Sequence, residues 1–135
     1  MTSSDAAHAH FVELCARAEL ADLECAPIEP ILAELLQFVL DHPEHRATFT
    51  EGFLAIMGMG PRERIRTPWE TLPFCMHTLR WPEVLHAAKD YMDRATSQND
   101  WRAINVLVDY IGSFEDDWER ADMFERYTTK SSDET

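Results

Sequence analysis

The chain has 135 residues, of which 45% are hydrophobic, and 25 acidic against 12 basic side chains give it a formal net charge of −13. This length and composition predict one folded domain and exclude a disordered chain. The charge disfavours nucleic acid and anionic membranes as partners, and it favours basic proteins or cations.

The first sixty residues predict three helices. A serine at position 3 or 4 caps a first helix that reaches residue 24, with apolar side chains at helical spacing. A second helix over 28–41 has Pro30 in its first turn. Proline is tolerated there because a backbone N–H in the first turn has no partner within the helix. A third helix over 44–58 ends at a pair of glycines.

Four more helices are predicted in the remainder. Thr67 and Glu70 have the spacing of a capping box, which predicts a helix start at Pro68, and Pro73 divides this helix after a short turn. Asn99 or Asp100 caps a later helix whose apolar arc is wide enough to predict cover by neighbours on two sides. The predicted helices run over 68–79, 82–95, 99–113 and 116–127.

About seven helices joined by short links, with no alternating strand pattern, predict an all-α fold of antiparallel hairpins. We expect a single domain over 1–128, followed by a disordered polar tail over 129–135. The order of the hairpins, above all 81–95 with 101–114, resembles a short HEAT-like α-solenoid. That resemblance implies a right-handed superhelix, with a compact helical bundle as the other architecture.

An acidic and aromatic link provides the main candidate site. The link contains five carboxylates. Two of them can cap a helix and complement its dipole, but a cap does not need five. An aromatic side chain ringed by like charges is typical of an interface with a basic partner. The predicted partner-binding residues are Glu115, Asp116, Asp117, Trp118, Glu119 and Asp122.

Small size, acidity and this link together resemble the bacterial immunity proteins, which are small cytoplasmic antidotes. The resemblance implies a protein that binds a toxin domain and blocks it. No targeting segment or membrane span is found in the sequence, and the cysteines at 15, 25 and 75 have no CxxC spacing. We therefore expect a cytoplasmic protein with buried thiols.

Two constellations have the residue types of a metal site. Glu83 and His86 have the spacing of a di-iron motif, but helical periodicity turns both toward solvent and the motif has no second copy. His42, Glu44 and His45 share a helix link, where a polar link is the favoured interpretation over a metal or pH site. We predict no metal and no cofactor.

The other chemical groups give weaker signals. Arg62, Arg64 and Arg66 form the one basic loop, and we expect them to pair with the protein's own acids, although they could hold a phosphate or carboxylate. His8 and His10 lie in a segment that we expect to be mobile and without function.

The sequence thus predicts a protein that is not an enzyme, and specifically an immunity-type inhibitor that neutralises a basic toxin or nuclease through acidic surface. An oligomeric adaptor or regulatory helical-repeat module is the first alternative, and it predicts an exposed apolar groove for another helix. A small metal-dependent enzyme is the second. The sequence is also compatible with a homo-oligomer.

Overall fold

All regular structure in residues 2–115, the range that the computed structural model describes, is helical. The predicted all-α class is confirmed, while the HEAT-like superhelix stays a prediction. The predicted helix over 116–127 and the tail over 129–135 lie outside the described residues. The described helices are α1 (Ser3–Leu23), α2 (Glu29–Asp41), α3 (Arg46–Ile56), α4 (Thr71–Leu79), α5 (Pro82–Ser97) and α6 (Trp101–Gly112), with a 3-10 turn at Pro43–His45 before α3.

The chain divides into two compact units, Met1–Thr71 and Leu72–Thr135. The single domain predicted over 1–128 stays a prediction. Within residues 2–115, no helix has both the length and the apolar character that crossing a membrane requires.

Helix α1 is the centre of the first unit, because both α2 and α3 pack against it. Its inward side chains recur at helical spacing, which is why one face of the helix is buried from Ala7 to Ala18. The prediction that 3–24 is helical is confirmed, but the cap is Thr2 and not a serine. Thr2 and Asp5 form a reciprocal capping box at this end. The buried residues of α1 are Ala7, Phe11, Leu14, Cys15 and Ala18.

Aromatic rings fill the space between α1 and α3. Phe11 lies with its ring centroid 5.0 Å from that of Phe53 and 6.1 Å from that of Phe49. A Cβ atom on Gly52 would lie only 2.8 Å from a carbon of the Phe11 ring. The absence of a side chain at position 52 therefore sets how closely α3 approaches α1.

Helix α4 begins at Thr71, so the capping box predicted at Thr67 is wrong. A helix that began at Pro68 would place Pro73 beyond the first turn, where its ring meets the carbonyl group of the preceding turn. Starting at Thr71 leaves Pro73 in the first turn, where it is tolerated. The Thr67 hydroxyl instead lies 2.8 Å from the Thr71 hydroxyl, and Thr67 also hydrogen-bonds the Cys15 side chain.

Helices α5 and α6 form the antiparallel hairpin of the second unit and pack against each other. Asp100 caps α6 by accepting a hydrogen bond from the Ala103 backbone N–H at 3.3 Å, as predicted. Leu107 and Tyr110 are buried. Trp101 is 67% exposed and Val108 is 58% exposed, so the described residues do not provide the cover on two sides that the sequence predicts for α6.

Candidate functional site

The predicted partner-binding link is described only at its first residue. Glu115 is exposed just after α6. Asp116, Asp117, Trp118, Glu119 and Asp122 lie outside the described residues, and their role in binding stays a prediction.

A second acidic surface lies where α1 ends and turns toward α2. We call it the acidic turn and define it as Glu19, Leu20, Asp22, Leu23, Glu24 and Glu29. The last turn of α1 contains no basic residue, and no lysine or arginine occurs between residues 18 and 45. Leu20 is 56% exposed and Leu23 is 72% exposed on the same helix. The acidic turn thus combines negative charge with exposed apolar side chains.

Two of these charges, Asp22 and Glu24, are unfavourable for α1. Carboxylates near a helix C-terminus face the negative end of its dipole, which destabilises the helix modestly. Asp22 and Glu24 are exposed at this end, and none of the four acids of the acidic turn makes an ion pair within the described part of the chain. Folding stability therefore does not explain Asp22 and Glu24, whereas Glu29 lies in the first turn of α2, where the helix dipole favours it.

The two histidines of the link between α2 and α3 make polar contacts with neighbouring residues of the fold. The Nδ1 atom of His42 lies 2.9 Å from the Phe38 carbonyl oxygen, which can only accept, so this nitrogen donates. The Nε2 atom of His45 lies 3.2 Å from the Ser3 hydroxyl and 4.0 Å from Glu44. These contacts fit the favoured interpretation of a polar link.

Glu83 and His86 are both exposed on α5, as helical periodicity predicts. In residues 2–115, no three His, Cys, Asp or Glu side chains converge in a way that could hold a metal ion.

Only one of the three arginines in the basic loop, residues 61–66, pairs with an acid as expected. Arg62 pairs with Glu51 at 3.2 Å, as expected. Arg64 and Arg66 are exposed and make no ion pair with any described residue. The expectation that all three arginines pair with the protein's own acids is therefore wrong for two of them.

A pocket of about 270 Å³ lies between α1 and the basic loop. Side chains four residues apart on α1 form one wall, and consecutive residues of the loop form the other. The pocket is lined by His8, Val12, Ala16, Glu63, Arg64, Ile65 and Arg66.

His8 is the α1 histidine of this pocket. Its Nδ1 atom is buried and has no hydrogen-bond partner among the described residues. Burial, helped by the nearby Arg62 charge, lowers the pKa of His8 below its usual value of 6.5. The prediction of a mobile, functionless segment is wrong in its structural part, because His8 and His10 lie within α1.

The cysteines fit the prediction of buried thiols at two of three positions. Cys15 and Cys75 are buried, whereas Cys25 is exposed. Burial raises the pKa of the Cys15 thiol to about 12, which keeps it protonated at neutral pH. Cys15 is therefore a packing residue and not a nucleophile.

Comparisons with family models, with curated proteins and with solved structures found no match for this chain. The features that sequence reasoning missed are the acidic turn and the pocket. The acidic turn has a local signal, since leucines at positions 20 and 23 alternate with acids. The pocket has none, because its two walls are about fifty residues apart in the chain.

Proposed function

We propose that this protein is a non-catalytic binding protein, an immunity-type inhibitor in the cytoplasm that covers the basic active surface of a toxin or nuclease domain. The single observation that carries this proposal is the excess of acidic side chains that the protein does not use internally. The net charge is −13, and the acids of the acidic turn have no basic partner in the described residues.

The acidic turn has the two components that an interface of this kind needs. Negative charge attracts a basic partner over a distance of about a Debye length and raises the rate of encounter. Leu20 and Leu23 supply apolar area that a partner can bury after contact. The link at 115–122 repeats the same combination of carboxylates and an apolar anchor, Trp118, in the sequence.

Asp22 and Glu24 destabilise the end of α1 modestly, because they face the negative end of its dipole. A folded protein that kept them only for solubility could place them near helix N-termini, where the dipole favours them. Their position at the exposed end of α1 supports a role in binding.

The experiment is capture of a partner from the native organism at low salt with the purified full chain as bait. The captured basic protein is then purified, and its Kd is measured for the parent and for charge-neutralised variants. One variant carries Asp22→Asn with Glu24→Gln, and a second carries Asp116→Asn, Asp117→Asn and Asp122→Asn. We expect at least one of them to bind about tenfold or more weakly, which is about 1.4 kcal/mol.

The matched control is Asp90→Asn with Asp93→Asn, which removes the same charge as the Asp22 and Glu24 pair from exposed positions of α5. Neutralising Asp22 and Glu24 also relieves their repulsion from the helix dipole, so loss of binding does not come from loss of folding. Retention of no basic protein, or equal Kd values for parent and both neutralised variants, would refute the proposal.

A second candidate function is an adaptor that binds an apolar helix, and one observation favours it. Trp101 and Val108 lie seven residues apart on α6, so they share a face, and both are more than half exposed. A partner helix could lay its apolar face on this stripe. If Trp101→Ser weakens the complex while the charge-neutralised variants bind like the parent, the adaptor replaces the inhibitor as the function.

A further inference from the structure

The pocket between α1 and the basic loop, which the proposed function does not use, has a charged rim and an apolar floor. Ile65 is buried, Val12 is half-buried, and Ala16 offers only a methyl group. Arg64 and Arg66 lie at the exposed rim. The volume of about 270 Å³ lies just below the usual range for drug-sized ligands, so the pocket suits a smaller molecule.

The two rim arginines are available to a ligand. In a chain with 25 acids, Arg64 and Arg66 make no ion pair within the described residues, even though Glu63 lies beside them in the sequence. Arg62, by contrast, is held by Glu51. The guanidinium group is a planar donor that matches a carboxylate in a two-point hydrogen bond.

His8 lies on the opposite wall of the pocket. Its buried Nδ1 atom has no hydrogen-bond partner in the described part of the chain, although buried polar atoms are nearly always paired. Because this atom is closed to solvent, His8 contributes to the wall of the pocket through its other atoms.

The loop wall is fixed before any ligand arrives. The backbone N–H of Ile65 donates to the Ala55 carbonyl oxygen at 3.1 Å, which joins the loop to the end of α3. The Arg62 to Glu51 ion pair at 3.2 Å holds the preceding residue of the loop. A preformed wall lowers the entropic cost of ordering the site when a ligand binds.

We propose that this pocket binds a small carboxylate with a compact apolar body. Its carboxylate contacts Arg64 and Arg66, and its apolar part lies on Val12, Ala16 and Ile65. The side-chain charges of Arg64, Arg66 and Glu63 sum to one positive charge (2 − 1 = +1), which matches a carboxylate better than a doubly charged phosphate ester. Large polyanions are disfavoured by the acidity of the whole chain.

The test is an NMR titration of the purified full chain at constant ionic strength, with benzoate as the probe. Phenyl phosphate and neutral benzyl alcohol are compared under the same conditions. We expect saturable binding of benzoate that is tighter than the binding of either comparison molecule. The amide signals that shift most should be those of α1 near His8 and of the loop at Arg64 and Arg66.

Two variants remove different halves of the site. Arg64→Gln with Arg66→Gln removes the charge, and Ala16→Phe fills the pocket from an exposed helical position. Both should weaken benzoate binding by about tenfold or more. The controls are Arg102→Gln and Ala9→Phe, which are exposed positions outside the pocket and should bind like the parent.

The proposal is overturned by any of three results. The first is the absence of a saturable response to benzoate, and the second is benzoate binding that is unchanged in both pocket variants. Equal or tighter binding of benzyl alcohol or phenyl phosphate would likewise show that the site does not select a carboxylate.

Discussion

At the scale of single residues, the contact of Phe11 with Gly52 fixes how closely two helices of the first unit approach. Phe11 is fully buried and is surrounded by Phe49 and Phe53, so its ring has little room to move. A methyl group at position 52 would lie 2.8 Å from this ring. The glycine is therefore required by packing, although glycine is otherwise unfavourable inside a helix.

Gly52→Ala should destabilise the protein by about 1–3 kcal/mol, because overpacking in the core outweighs the gain of about 1 kcal/mol in helix propensity. The measurement is urea denaturation of parent and variant. Combining Gly52→Ala with Phe11→Leu, which shortens the opposing side chain, should cost less than the sum of the two single changes. A Gly52→Ala variant as stable as the parent would contradict this account of the α1 and α3 contact.

His8 should make stability depend on pH. Its pKa is lowered in the folded protein, first by burial and then by Arg62, while Glu51 and Asp5 oppose this shift. The unfolded chain therefore binds more protons than the folded one in the window just below pH 6.5, so the free energy of unfolding falls as the pH falls through that window.

The measurement is the free energy of unfolding at about pH 7.5 and about pH 5.5, on either side of the ordinary histidine pKa. His8→Gln should lose less stability on acidification than the parent. His86→Gln, which changes an exposed histidine of α5, is the control and should behave like the parent. Identical pH dependence in all three proteins would show that His8 does not contribute.

The residue-scale predictions from sequence succeed where the signal is local. Asp100 is a correct cap because a cap depends only on its own turn. Thr67 is assigned wrongly because a capping box can be outweighed by a proline two turns later and by a tertiary contact with Cys15. The pocket around His8 is not predicted, because its other wall comes from the basic loop, which no local pattern reveals.

At the scale of elements, α1, α3 and α5 end in the same backbone motif. In each, the backbone N–H of the second residue after the helix cap donates a hydrogen bond to the carbonyl oxygen five positions earlier. The residue between the cap and this donor has a left-handed backbone conformation. The three left-handed residues are Cys25, Gly58 and Asn99, with φ values of 58°, 74° and 55°. Glycine is the usual residue at this position and asparagine is tolerated, but cysteine is unfavourable.

Cys25→Gly should therefore stabilise the protein by about 0.5–1 kcal/mol, since relief of the left-handed strain exceeds the entropy that glycine loses on folding. The measurement is Tm in reducing buffer. The opposite change, Gly58→Ala, should lower Tm because alanine is strained at a φ of 74°. If Cys25→Gly lowers Tm, strain at this turn is not what limits the stability of α1.

The sequence predicts most helices because prolines, caps and apolar periodicity act within a few residues. Pro30 and Pro82 lie in the first turns of α2 and α5, as expected. Which helices pack against each other is harder to predict from the sequence. In the first unit, α1 packs against both α2 and α3, and no local pattern in the sequence identifies α1 as their shared neighbour.

At the scale of the whole molecule, the chain has an excess of negative charge that its own basic groups do not balance. Residues 1–60 contain 10 acids and 2 bases, a net charge of −8 (2 − 10), and only Glu34 and Glu51 in that range pair with an arginine among the described residues. Charge of this size can be read from composition alone. Where it lies on the surface cannot, because helix ends and burial decide which carboxylates stand beside exposed apolar side chains such as Leu23.

The most direct measurement of the central claim is the Kd of the protein with its captured basic partner across salt concentrations from about 0.01 to about 0.15 M, where the Debye length falls from about 30 to about 8 Å. An interface built on acidic surface predicts that Kd rises by about tenfold or more over this range, mainly through slower association. A Kd that stays constant across the range would contradict the account and would assign binding to apolar surface such as the exposed face of α6.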